Sequence, residues 1–135
     1  MLIRDVMSRH ARTVGPQETL RSAAELMRLS DIGFLPVVHH GRLVGALTDR
    51  DLVIRGLAEG LGPEVRVQQV MSEQVVYGFD DETVTEGLTR MEEEGVRRLL
   101  VLGRKMELLG VVSIDDLAAV PAAVPQVAQT LAQVS

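Results

Sequence analysis

The stretch Gly45-Ala46-Leu47-Thr48-Asp49-Arg50-Asp51 returns, with the numbering advanced by 65, as Gly110-Val111-Val112-Ser113-Ile114-Asp115-Asp116. Moving outward, Ile32-Gly33-Phe34-Leu35-Pro36-Val37-Val38 falls on Val96-Arg97-Arg98-Leu99-Leu100-Val101-Leu102 at an offset of 64, so one residue enters the intervening turn. Met27 falls on Met91, Glu18-Thr19-Leu20 on Glu82-Thr83-Val84, and Val6-Met7-Ser8 on Val70-Met71-Ser72, all at 64. Self-similarity at a fixed period marks a duplicated structural unit. Two copies are too few for a solenoid, so they must pack on each other.

Each copy reads the same way. Leu20, Ala23, Ala24 and Met27, like Val84, Gly87, Leu88 and Met91, recur at the i, i+3, i+4, i+7 spacing of an amphipathic helix. Pro16 and Asp80-Asp81 stand ahead of them, where starts and caps are favoured. The apolar runs 34–38 and 43–47 bracket His39-His40-Gly41-Arg42, and the runs 98–102 and 108–112 bracket Gly103-Arg104-Lys105. That is strand, tight turn, strand. Each second strand leads into a helix beginning near Asp49 or Ile114. One copy is thus a short strand, a helix, a hairpin and a helix. The copies span 1–58 and 67–120, with a glycine-rich linker at 59–66. A tail at 121–135 holds Pro121 and Pro125, then a helix expected to dock on the body or on a second subunit.

A chain of 135 residues buries roughly two-thirds of its unfolded surface without a disulfide or metal staple. Its 46% apolar content excludes wholesale disorder, and the absence of cysteine removes disulfide scaffolds, Cys-zinc sites and thiol catalysis. No apolar run approaches the ~18–20 residues of a membrane span, and Met1-Leu2-Ile3-Arg4-Asp5 does not read as a signal peptide, so a cytoplasmic protein is expected. A net charge of −5 and 2% aromatic content (Phe34, Tyr77, Phe79) argue against nucleic acid as the main partner. No Walker loop, Gly-x-Gly-x-x-Gly, His-Glu-x-x-His or Gly-x-Ser-x-Gly occurs, so no catalytic residue and no enzyme is expected. His39 and His40 are neighbours in a turn and lack the spacing of metal ligands. Glu92-Glu93-Glu94 reads as a solvated helix face.

The duplicated Gly-x-x-[Ser/Thr]-x-x-Asp motif admits two readings. A hydroxyl followed three residues later by an acid is a capping box, the hydroxyl accepting from a free helix N–H and the acid reaching back. The same groups suit a ligand: a helix N-terminus and the hydroxyl of Thr48 or Ser113 for a phosphate, the carboxylate of Asp51 or Asp116 for a vicinal diol such as a ribose. The glycine before the strand end would let a ligand lie against bare backbone. Arg50, Arg97 and Arg98 read either as solvated arginines or as phosphate contacts.

With Asp5-Val6-Met7-Ser8, Thr13-Val14-Gly15-Pro16, Leu35-Pro36-Val37-Val38, Gly41-Arg42-Leu43-Val44-Gly45 and Leu47-Thr48-Asp49-Arg50-Asp51-Leu52 in this order, the first half resembles the leading half of a CBS domain pair, the Bateman module. Gly95-Val96-Arg97-Arg98-Leu99 and Gly110-Val111-Val112-Ser113-Ile114-Asp115-Asp116-Leu117 resemble its partner repeat, and the likeness covers residues 1 to about 120. The resemblance implies an α+β fold of two tandem β-α-β-β-α repeats, related by a pseudo-two-fold and packed through their sheets. It implies two clefts between the repeats for AMP, ADP, ATP, S-adenosylmethionine or NAD(H). Thr48 and Ser113 would meet phosphate, and Asp51 and Asp116 the ribose. Thr13, Leu35, Pro36, Tyr77, Leu99 and Leu100 would line the base. It also implies a disc-like homodimer. Leu100 in place of Pro36 and Tyr77 in place of Thr13 make the two sites unequal.

The resulting expectation is a regulatory sensor: no tightly bound cofactor or metal, an adenosyl regulatory ligand, and an effector protein that it modulates. The alternatives are a constitutive dimerisation scaffold whose caps are only caps and, less favoured by the charge, a nucleic-acid-binding regulator.

Overall fold

The computed structural model of the chain describes residues 1–120 and 124–134. Strands β1 (Phe34–His39) and β2 (Arg42–Thr48) form an antiparallel hairpin. Strands β3 (Tyr77–Phe79), β4 (Arg98–Leu102) and β5 (Leu108–Ser113) form a second sheet, β3 parallel to β4 and β4 antiparallel to β5. The first hairpin turns through His40 and Gly41 at φ of 52° and 78°, the left-handed pair of a type I′ turn. The extra residue of the second copy enters its longer turn, closed by Gly103 N–H donating to Glu107 O at 2.9 Å.

The first copy's leading strand is reduced to one parallel bridge, Val14 to Val37. The second copy continues its ladder because Asp80 N–H donates to Leu102 O at 3.0 Å. Pro16 holds the equivalent position and has no N–H to give.

Helices α1 (Leu20–Ser30) and α3 (Val84–Glu94) follow the leading segments. Their caps are Thr19 and Thr83, whose hydroxyls accept from Ser22 and Glu86 N–H at 3.1 Å, rather than Pro16 or Asp80-Asp81. Both helices end on a left-handed residue, Asp31 and Gly95. After β2, α2 (Asp49–Asp51) passes directly into a π-helical segment, Leu52–Leu57, marked by Ala58 N–H bonding Val53 O at 2.8 Å. After β5 comes α4 (Ile114–Ala118).

The chain forms two compact units, residues 12–75 and residues 1–11 with 76–135. The first has a core around Val14, Leu20, Met27, Leu35, Val37, Leu47 and Val67, and the second one around Ile3, Leu88, Met91, Leu99, Val112 and Leu117. The segments ahead of each copy cross over. The 3-10 turn Val67–Gln69 joins the first copy, with Val67 N–H on Glu18 O (2.8 Å) and a mutual Ala46–Ser72 pair (2.9 Å each way). The turn Ile3–Asp5 joins the second copy likewise, through Ile3 N–H on Glu82 O (2.9 Å) and a mutual Ser8–Val111 pair. The units therefore cut the chain at other places than the sequence repeat does.

A last helix, α5 (Val124–Val134), packs across α3 and α4 and buries Val127. Residues 121–123 and 135 of the expected tail lie outside the described residues.

Candidate functional site

Both copies of the duplicated motif form reciprocal caps. Thr48 Oγ1 accepts from Asp51 N–H at 3.0 Å, while Asp51 Oδ2 accepts from Thr48 N–H at 2.9 Å. Ser113 and Asp116 repeat this at 3.1 and 2.9 Å. Each hydroxyl is thereby an acceptor with its own proton still to donate, and each carboxylate keeps one oxygen outside the cap.

The remaining oxygens differ. Asp51 Oδ1 faces Arg55 Nη1 at 4.0 Å. At the position matching Arg55 the second copy has Val120, and Asp115 replaces Arg50. Among the described residues, no ion pair or hydrogen bond takes Asp116 Oδ1. Half-buried Asp116 lines a cleft of about 490 Å³ with Met1, Val6, Asp115, Ala119 and Val120. Met1, Val6 and Val120 carried no sequence signal for this, since Met1 and Val6 reach it only through the crossover of the leading segment. In the β4–β5 register Arg98 stands opposite Ser113, on the same face of the sheet, whereas Phe34 stands opposite Thr48.

The expected residues divide between the units. Thr13, Leu35, Pro36, Thr48, Arg50 and Asp51 belong to one, and Tyr77, Arg97, Arg98, Leu99, Leu100, Ser113 and Asp116 to the other. Thr13 is exposed beside the Val14 bridge, and Pro36 O accepts from Val14 N–H at 3.0 Å. Arg50, Arg97 and Arg98 are exposed. Leu35 and Leu99 are both 0% exposed, within the two cores. The glycine expectation is corrected. A Cβ on Gly45 would stand 2.7 Å from Ser72 O, and one on Gly110 would collide with Ser8 O. Chain, not ligand, lies against those bare positions.

A family model for the CBS domain matches residues 3–56 and 67–123. The chain belongs to the CBS domain family. This CBS pair is 35% identical over 116 residues to the CBS domain-containing protein YhcV of Bacillus subtilis, covering 86% of the chain and 82% of that protein. It is 42% identical over 117 residues to hypoxic response protein 1 of Mycobacterium tuberculosis, covering 85% and 81%. A crystal structure of hypoxic response protein I with two coordinated zinc ions superposes with a TM-score of 0.79 at 40% identity, covering 88% and 98%. In this CBS pair no three His, Cys, Asp or Glu residues gather in a metal-holding group among the described residues. The Pyrobaculum aerophilum protein PAE2072, solved with AMP, shares the fold with a TM-score of 0.78 at 20% identity, covering 96% and 99%.

In the CBS pair's second unit a network that sequence reasoning missed holds Tyr77. The buried Glu82 takes a two-pronged bond from Arg90 (2.7 and 2.9 Å) and accepts from Phe79 N–H at 2.7 Å, while Arg90 also donates to Tyr77 O at 3.0 Å. Burial pushes the Glu82 carboxyl up, but the Arg90 fork and the Phe79 N–H outweigh it and hold its pKa below the ordinary glutamate value. Tyr77 packs edge-to-face on Phe79 at 5.6 Å, and the Arg104 guanidinium lies 4.1 Å above the Phe79 ring. Arg104 in turn forks onto Asp81 at 2.8 and 3.0 Å. The first copy carries only a reduced form, Glu18 accepting from Gly15 N–H at 2.5 Å, with Leu26 where the second copy has Arg90.

Proposed function

We propose that the chain is a regulatory module that binds an adenosine-containing ligand through the second copy of its motif, pairs with a second copy of itself, and modulates an effector protein. The observation that carries this is the Asp116 carboxylate: one oxygen holds the cap and the other is left over at a cleft. A carboxylate in that state can accept both hydroxyls of a ribose. Ser113 O–H and Arg98, neighbours across the ladder, supply a proton donor and a cation for a phosphate. Arg97 and Arg98 are themselves exposed at the start of β4. The first copy is the weaker candidate, because Phe34 replaces the cation and Arg55 already attends Asp51. AMP on the same fold in the Pyrobaculum protein supports the ligand class by analogy.

Asp115 beside Asp116 disfavours long polyphosphates and favours a ligand with less negative charge than ATP, S-adenosylmethionine first and AMP next. Titration calorimetry of the chain with AMP, ATP and S-adenosylmethionine tests this. Saturable binding abolished by Asp116→Ala and kept by Asp51→Ala is expected. Binding that survives Asp116→Ala moves the site elsewhere, and the absence of binding by any adenosyl ligand leaves the scaffold reading in its place.

A further inference from the structure

Helix α4 is only five residues long, and so short a helix keeps its shape only where other elements pack on it. Its first turn carries Asp116, and past its end Ala119 and Val120 wall the same cleft as that carboxylate. Leu117 is fully buried, in a core cluster that also contains Val127 of α5. Val120 and Leu131 of α5 pack against this cluster as well. Val120 is therefore shared between the cleft and the core that α5 helps to build.

α5 is seated loosely for so central a place. Over Val124–Val134 it has no charged residue, and Gln126 donates to Thr85 O and Thr89 Oγ1 across a long 3.3 and 3.4 Å. Thr130 is fully buried, and its Oγ1 has no hydrogen-bond partner among the described residues, so docking strips water from a hydroxyl without replacing it. Elements held in this way open locally, ahead of the rest of the fold. The first copy has no counterpart to α5, and its helices leave Leu29 and Leu57 each 74% exposed. The brace thus attends the copy whose aspartate has an oxygen to spare.

We propose that α5 is a clamp on the adenosyl site: docked, it holds α4 and Val120 where Asp116 can take a ribose, and an occupied cleft in turn holds α5 down. This rests on the ligand binding proposed above and adds its regulation. The sign follows from the packing. α5 bears on α4 through the Leu117 cluster and the ligand through Asp116, and both require the same placement of one short helix. Whichever arrives first has already ordered it for the other. Linkage makes the effect reciprocal, with a single factor for both directions. The quantity regulated is the fraction of chains with α5 released.

Hydrogen exchange of the full chain, with and without saturating S-adenosylmethionine and in parallel AMP, tests the clamp beside calorimetry with the same two compounds. In the free chain the amides of 124–134 are expected to exchange faster than those of β4 and β5, and the bound compound to slow them about fivefold or more. Val127→Asp puts a charge into the seat and is expected to weaken binding by that same factor, while Val127→Ile keeps it. Ala128→Pro, at an exposed position, breaks the helix without touching the seat and is expected to weaken binding likewise. Unchanged exchange in β4 and β5 will show that the variants fold. Binding that leaves α5 exchange unchanged or faster, or an affinity indifferent to both Val127→Asp and Ala128→Pro, overturns the clamp while the ligand site stands. A wild type that binds neither compound overturns the site and the clamp together.

Discussion

Glu82 and Asp116 are both carboxylates held by backbone N–H groups, yet they face opposite demands. Glu82 is spent on structure: its bonds to Arg90 and Phe79 tie β3 to α3. Its pKa is depressed below the ordinary value of 4.5, so its stabilisation is present above that pH and fades as pH falls through the lower folded value. Glu82→Gln is expected to cost about 2 kcal/mol at neutral pH and to flatten the acid limb of a denaturation series. Asp81, exposed and bonded first of all to Arg104, shifts the same way but sits in open solvent, so Asp81→Asn is expected to change the melt little. For the caps, Thr48→Ala and Ser113→Ala are expected to lower stability by about 1 kcal/mol each in chemical denaturation. If Ser113 also serves a phosphate, its substitution weakens AMP binding as well, and Thr48→Ala does not.

Among the elements, the β2 and β5 strands depend on two glycines for a reason local sequence hides. Gly45→Ala and Gly110→Ala push a methyl group into the Ser72 and Ser8 carbonyls, and each is expected to cost about 1–3 kcal/mol in thermal melts. Helix α5 carries an opposite opportunity. Thr130 is fully buried, and its Oγ1 has no hydrogen-bond partner among the described residues. Thr130→Val keeps the shape and removes the unpaired hydroxyl, so a gain of about 1 kcal/mol is expected. The elements were largely legible beforehand. Short apolar runs bounded by turn residues placed both hairpins, and the 3.6-residue spacing of Leu20 to Met27 and Val84 to Met91 placed α1 and α3. The caps and the missing first strand were less so. Thr19 and Thr83 outcompete the better-known starters because their hydroxyls reach an N–H three residues on, and Pro16 breaks a ladder that only pairing reveals.

For the whole molecule, ligand linkage is the sharpest measure. A ligand that binds only the folded chain, at 100 times its dissociation constant, is expected to add about 2.7 kcal/mol to unfolding in a melt, and nothing in Asp116→Ala. A response of that size without any change in dimerisation would mean that the ligand prefers neither arrangement, since it can shift an equilibrium only by its differential affinity.

By itself the amino-acid order determined the duplication, the hairpins and amphipathic helices, and the pairing of Thr48 with Asp51 and Ser113 with Asp116. These depend on contacts three or four residues apart or on a period, both written in the chain. Tertiary structure alone decided that the leading segments change copies, that Leu35 and Leu99 are core, that Asp116 meets a cleft while Asp51 meets Arg55, and that α5 closes one helix pair and leaves the other open. Each of these turns on which distant backbone arrives beside a residue, and side-chain chemistry at one position does not record what will be brought to it.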